Sequence, residues 1–275
     1  MADPPAFAEI AADVYVLRYP VLDVNATLVV GAEAAVVVDT LSTDAQAAEL
    51  LATVRRVTSL PLHAVNTHHH FDHTFGNAVF AAQGAPIWGH EETVALLRTR
   101  GAALKEQWCA EWAATEPSLV AEMALVTVRP PDRTVHREST VDLGGRVVEL
   151  RHYGRGHSAG DLVVLVADAV FAGDLIEESG PPQFEDAFPL DWPDTLAGLL
   201  PRLAETALVV PGHGAIVDKA FVHEQHEQLT ALDWLIRDGE ADGQPIERVA
   251  KKSPFDFDTS LVAIRRGYDQ LTGKA

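Results

Sequence analysis

Apolar and polar positions along the chain fall into short β-like runs interleaved with helix-like stretches. Val14 to Tyr19, Ala26 to Val30 and Ala35 to Val38 read as strands, the last ending at Asp39. Thr43 with Gln46 three residues on predicts a helix start, and the helix that follows places Leu50, Leu51, Val54 and Val57 on one face. His63 to Asn66 is a further strand and runs directly into a histidine-rich segment. A second helix is expected from His73 to Gly84, a strand at Pro86 to Trp88, and a mostly helical stretch over 91–124 that carries Trp108, Trp112 and Met123. Strands return at Val135, Val141 to Leu143, Val147 to Leu150, Leu162 to Val166 and Ala169 to Phe171. Pro193 suits the first turn of a helix through Leu203, and Ala207 to Val210 is a last core strand. Residues 218–275 are mainly helical, with Phe221, Val222, Leu229, Leu232, Leu235 and Ile236 as the apolar stripe. Two packed sheets covered by helices on both outer faces satisfy this order.

Composition narrows the partners more than the fold. The 275 residues are 47% hydrophobic and 22% charged, an ordinary globular balance. The formal net charge of −19 repels phosphate backbones, so a nucleic-acid partner is not expected. Apolar runs such as Leu162 to Ala167 are far short of the ~18–20 residues a membrane span needs. Cys109 is the single cysteine, which excludes an internal disulfide and a Cys-rich zinc site. The first residues have no basic region followed by a continuous apolar one, so they do not read as a signal peptide, and a cytoplasmic protein acting on a small molecule is expected.

The chemical signal is His68-x-His70-x-Asp72-His73, four metal-competent side chains within six residues, just past a strand and at the start of a helix. His68 and His70 point the same way from an extended strand end, while Asp72 and His73 follow the turn and face a second point. Such a loop can serve two ions, and imidazole with carboxylate suits Zn²⁺, Mn²⁺ or Fe²⁺. Three later segments each end a strand beside glycine: Gly156-His157-Ser158-Ala159-Gly160-Asp161, Gly173-Asp174, and Gly212-His213-Gly214. Any one of these dipeptides means little; all of them in this order form a pattern.

On these motifs the sequence resembles the metallo-β-lactamase-fold hydrolase superfamily, over roughly residues 14 to 217. The resemblance implies a four-layer αβ/βα sandwich as a catalytic domain over 1–217, with a short helical extension over 218–275. It implies one metal site from His68, His70 and His157, a second from Asp72, His73 and His213, and Asp174 as a carboxylate bridging both. All seven positions are filled. Two zinc ions are the expected cofactors. Two metals about 3.5–4 Å apart can share a water and generate hydroxide near neutral pH, which would attack the carbonyl carbon of an ester, thioester or lactone. Asp72 would ligate the second metal and orient this nucleophile. The resemblance also suggests that Asp39 supports the histidine loop without touching metal; a plain turn or cap role is the other reading.

His69 alternates with its neighbours, so a strand-like path aims it away from the metals. His152 leads towards His157. His63, His90, His136, His223 and His226 match no ligand position, with His90 the first exception to consider because it follows a strand end. Departures from subfamily patterns narrow the substrate. Many β-lactamases of this fold have Cys, or no carboxylate, where Asp174 stands, and are exported. Glyoxalase II enzymes usually read GHTxGH around the His157 segment, where this chain reads GHSAGD, and lactonases often place a Tyr shortly after the bridging Asp, where Leu175, Ile176 and Glu177 follow. Substrate shape falls to Trp108, Trp112 and Met123, which core packing alone would also explain, and to the loop from Glu177 to Trp192. If Glu177, Glu178, Glu185 and Asp186 of that loop face the site, they disfavour anionic substrates; otherwise the loop is a solvated acidic one. The competing chemistries are β-lactam hydrolysis and a mononuclear iron dioxygenase of the persulfide dioxygenase type, using His68, His157 and Asp174.

Overall fold

The computed structural model describes residues 6–167 and 169–274. Residues 1–5, the first part of the segment that does not read as a signal peptide, and the last residue of the helical extension lie outside the described residues. The first sheet holds β1 (Ala8–Ala11), β2 (Val14–Tyr19), β3 (Val24–Val30), β4 (Ala35–Val38), β5 (Leu62–Val65), β6 (Ile87–His90) and β7 (Arg133–Val135) in chain order. Pairing is antiparallel from β1 to β4 and parallel from β4 to β7. The second sheet holds β8 (Glu138–Asp142), β9 (Val147–Arg151), β10 (Val163–Val166), β11 (Ala169–Gly173) and β12 (Leu208–Pro211), in the order β12-β11-β10-β9-β8. Only its β11–β12 pair is parallel.

Strand alternation divides the core into layers. Val36 and Val38 of β4 point inward and meet Val141, Val148, Leu150, Val164 and Phe171 of the second sheet. Ala35 and Val37 of the same strand point outward, under Leu50 and Val54 of α1 (Asp44–Val57) and Phe80 of α3 (Asn77–Ala82). Val163, Leu165, Val170 and Val209 of the second sheet point to the opposite outer face. There they meet α6 (Trp192–Leu199), α7 (Lys219–Ala241), α8 (Ile246–Ala250) and α9 (Phe257–Leu271) through Leu196, Leu229, Ile236, Val249 and Ile264. The layers therefore run helix, sheet, sheet, helix. A smaller cluster joins Phe71 and Phe75 to Leu104, Trp108 and Met123, on α4 (Glu91–Trp112) and α5 (Pro117–Met123).

Three expectations need correction. Helix α1 starts as predicted, with Thr43 accepting the Gln46 N–H, but Val57 is exposed and Leu51 half-buried, because Ala47 and Thr53 share the inner face instead. The helix expected from His73 to Gly84 is two short helices, α2 (Phe71–Thr74) and α3, broken at Phe75–Gly76. Gly76 packs so tightly under the Thr40 carbonyl that any Cβ would collide with it, and this contact holds the break in place. The helix expected through Leu203 ends at Leu199 and tightens to a 3-10 turn over Leu200–Arg202 around Pro201.

Candidate metal centre

Every candidate ligand sits just beyond the C-terminal end of a strand, at one edge of the sandwich. His68, His70, Asp72 and His73 follow β5, His157 follows β9, Asp174 follows β11 and His213 follows β12. The edge is stitched across the two sheets. Asn25 at the start of β3 donates its N–H to the Gly212 carbonyl at 2.7 Å and its side-chain amide to Pro211 and Gly214. Leu162 donates its N–H to the Thr67 carbonyl at 2.7 Å. Gly212 lies against the Asp174 carboxylate, where a Cβ would overlap Asp174 Oδ1.

Two donor groups converge there, beside a third of His69, His70 and Asp186 that shares His70: they are His68, His70, His157 and Asp174, then Asp72, His73 and His213, with donor atoms inside each group within 4.8 Å of one another. Asp174 reaches both, with Oδ2 3.6 Å from His68 Nε2, 3.4 Å from His157 Nε2 and 3.4 Å from His213 Nε2, and Oδ1 3.3 Å from His73 Nε2. Asp72 Oδ2 is 3.2 Å from His213 Nε2.

The outer nitrogens of four of these rings are already engaged, while His157 Nδ1 is buried without a hydrogen-bond partner, 3.7 Å from Glu177 Oε1. His73 Nδ1 is held by Asp39 Oδ2 at 2.8 Å, His213 Nδ1 by the Leu22 carbonyl at 2.7 Å, His68 Nδ1 by Thr67 Oγ1 at 3.1 Å and His70 Nε2 by Asp186 at 3.2 Å. Each partner can take the ring proton, which turns the other nitrogen inward as a lone pair. Inward nitrogens then confront each other, His73 Nε2 and His213 Nε2 at 3.3 Å, His157 Nε2 and His70 Nδ1 at 3.0 Å. His68 Nε2 and Asp174 Oδ1 are buried without a hydrogen-bond partner. Lone pairs that face each other in a buried site call for a positive charge between them, so this donor set fits divalent metal ions.

The metallo-β-lactamase superfamily model matches residues 19–213, which span both donor groups. The chain belongs to the metallo-β-lactamase superfamily. Solved structures agree on the fold. A metallo-β-lactamase from Pontibacter korlensis is similar at 23% identity with a TM-score of 0.67, covering 82% of this chain and 99% of that one. FIM-1 from Pseudomonas aeruginosa, solved in a mono-zinc form, is similar at 20% identity with a TM-score of 0.65, covering 84% and 96%. A sequence search of curated proteins returns no match.

Charge in this metallo-β-lactamase-fold site is sorted by position. Burial pulls His73 and His213 down, but Asp174 and Asp72 outweigh it and hold both well above an ordinary histidine. Burial also opposes His70, whose pKa Asp186 lifts to about 9. Burial dominates at His68, held well below the usual range, and at His157, pushed down to about 3. Glu177 is raised well above a usual carboxyl by burial and by the like charge of Asp174.

Asp39 takes a left-handed backbone, φ 63°, and receives both the N–H and the hydroxyl of Thr67 besides His73; the support reading holds. The path expected for His69 does not. Residues 67–70 are bends rather than extended chain, so alternation stops before them. His69 is buried on the cavity wall, its Nε2 3.0 Å from Asp186 Oδ2 and its ring beside Trp108, outside the two Asp174 groups. His90 caps α4, stacks on His152 at 3.9 Å and bonds the His136 carbonyl. Met123 is wholly buried, whereas Trp108 both packs in the core and lines the cavity.

The cavity in front of the centre holds about 940 Å³. From the 177–192 loop, Glu177, Glu185 and Asp186 line it; Glu178 turns away and accepts the Ala215 N–H. The roles of Asp186, Thr67 and the Leu22 carbonyl went unassigned in the sequence, because each pairs with a histidine through no spacing rule.

Proposed function

We propose that the protein is a metal-dependent hydrolase that holds two divalent ions, zinc foremost, and cleaves an ester, thioester or lactone of a small molecule. The observation that carries this reading is the pair of donor groups sharing Asp174, each with its lone pairs turned inward. His68, His70 and His157 would hold one ion, Asp72, His73 and His213 the other, and Asp174 both. Ions there supply Lewis acidity, making water nucleophilic near neutral pH and polarising a carbonyl oxygen.

The chain's own groups do the rest. Asp39, Leu22 and Asp186 retain the outer imidazole protons, so the rings keep their inward orientation through turnover. Asp72 lines the cavity, where it would accept a hydrogen bond from a water positioned against the substrate carbonyl. Phe71, Trp108 and Leu104 give the substrate an apolar wall and exclude bulk water from one side. A mononuclear dioxygenase would need His68, His157 and Asp174 alone; a complete second group beside them favours the two-ion hydrolase.

Elemental analysis of metal-replete protein, followed by a panel of aryl esters, thioesters, lactones and nitrocefin, tests the reading. Two ions per chain with ester, thioester or lactone turnover supports it. One iron and no second metal overturns it, and nitrocefin turnover beside inert esters restores the β-lactamase alternative.

A further inference from the structure

We propose that the helical extension beyond the last candidate ligand is a working part of the metal centre, with Arg266 as the positioning residue that fixes Asp186 against His70. This rests on reading His68, His70 and His157 as one metal group. The loop between β11 and α6 supplies Asp186, whose two carboxylate oxygens each lie 3.2 Å from His70 Nε2. Residues 175–191 form no strand or helix, so no ladder of their own holds that place. Three backbone groups of the loop are bonded instead by side chains of the extension. Gln225 of α7 accepts the Glu177 N–H at 3.1 Å, and Gln270 of α9 accepts the Leu190 N–H at 3.2 Å. Between them, Arg266 of α9 donates from Nε and Nη2 to the Ala187 carbonyl, at 3.2 and 3.0 Å.

Ala187 directly follows Asp186. Two charge-assisted donors on one carbonyl hold that peptide more firmly than a neutral bond would. The Ala187 side chain is wholly buried against the outer helices. On the other side, the Phe188 N–H donates to the Gly156 carbonyl at 2.7 Å, one residue before His157, and the Arg155 guanidinium covers the Phe188 ring at 4.3 Å. The run from Asp186 to Phe188 is thus gripped by α9 on its helical side and by the His157 loop on its cavity side. Arg266 is not what attaches α9, because that helix buries Ala263, Ile264 and Gly267 against its neighbours. Its bond joins a helix already docked to the loop that orients a ligand. In a chain with 40 Asp and Glu residues, Arg266 makes no ion pair among the described residues and serves a backbone carbonyl instead.

A double-mutant cycle on zinc affinity tests this. Arg266→Met keeps the apolar stem and removes the donors, while Arg266→Lys keeps a cationic donor. Chelator competition on the full chain reads one dissociation step per ion. Arg266→Met is expected to weaken the step that Asp186→Asn weakens by about tenfold, and the other step by less than about twofold. Arg266→Lys should recover part of the loss. In the Asp186→Asn background Arg266→Met should cost nothing further, because two residues acting through one contact do not add. A merely structural role would give losses in both steps that add to those of Asp186→Asn, and that result overturns the inference. Arg266→Lys goes through the same cycle and carries the test if the methionine variant does not fold. Two tightly bound ions unmoved in both Arg266 variants overturn the inference alone. Wild-type protein that binds no zinc overturns the metal reading with it.

Discussion

Asp39 Oδ2 lies 2.8 Å from His73 Nδ1, across a sequence separation of 34 residues. The carboxylate is itself fixed by two bonds from Thr67, so it holds the His73 ring in one orientation. Burial raises Asp39 while His73 draws it back down; the pair is held by mutual charge in a dry site.

Asp39→Asn tests that relationship with little backbone disturbance, because Asn tolerates the left-handed conformation found there. The amide can still accept from Thr67 but can no longer both take the His73 proton and carry charge. Metal affinity at the Asp72–His73–His213 group is expected to fall roughly 10–100-fold, measured by chelator competition. An unchanged affinity would mean that packing alone orients His73.

Gly212→Ala should damage the centre nearly as much as Asp174→Ala. The new methyl would occupy the place of Asp174 Oδ1, so the carboxylate must leave its position between the two groups. Both variants are expected to lose at least one of two bound ions by elemental analysis and most turnover. Full metal content in Gly212→Ala would show that the loop after β12 can yield.

The histidine triplet should separate by role. His70→Ala removes a candidate ligand, and large loss of first-site metal is expected. Asp186→Asn leaves the ligand in place but weakens its orientation, so an affinity loss of roughly tenfold or more is expected. His69→Ala should keep both ions, with a smaller loss, because Asp186 retains His70. Equal losses in all three would place His69 among the ligands.

An acid-sensitive element lies away from the metals. Burial and the adjacent His152 push the His90 pKa from 6.5 down to about 4. Between those values the unfolded chain takes up a proton that the native state refuses, so this stability is full above pH 6.5 and is lost as pH falls towards about 4. His90→Asn keeps a helix cap and removes the titration. Urea melts of metal-free protein should show a shallower loss of stability below pH 6.5 in the variant; parallel profiles would refute this.

Local signals made much of this legible from sequence. Strands β4 and β5 with their polar ends, the Thr43 cap and the glycine-flanked ligands each follow from short-range rules that the fold obeys. Whatever depends on distant partners was not legible. Asp186 meets His70 from 116 residues away, and the Gly76 break in the second helix answers to Thr40 in the loop between β4 and α1. His69 does lie outside the two Asp174 groups, but not through strand alternation, since residues 67–70 bend after β5 ends.

The stitching of the two sheets at their common edge has a further consequence. Donors from β5 belong to one half of the sandwich, and those from β9, β11 and β12 to the other. An ion held between them would act as a removable rivet through both halves. Stripping it would do more than silence a reaction: it would free the halves to breathe against each other, so that resistance to proteolysis at this rim would report metal supply.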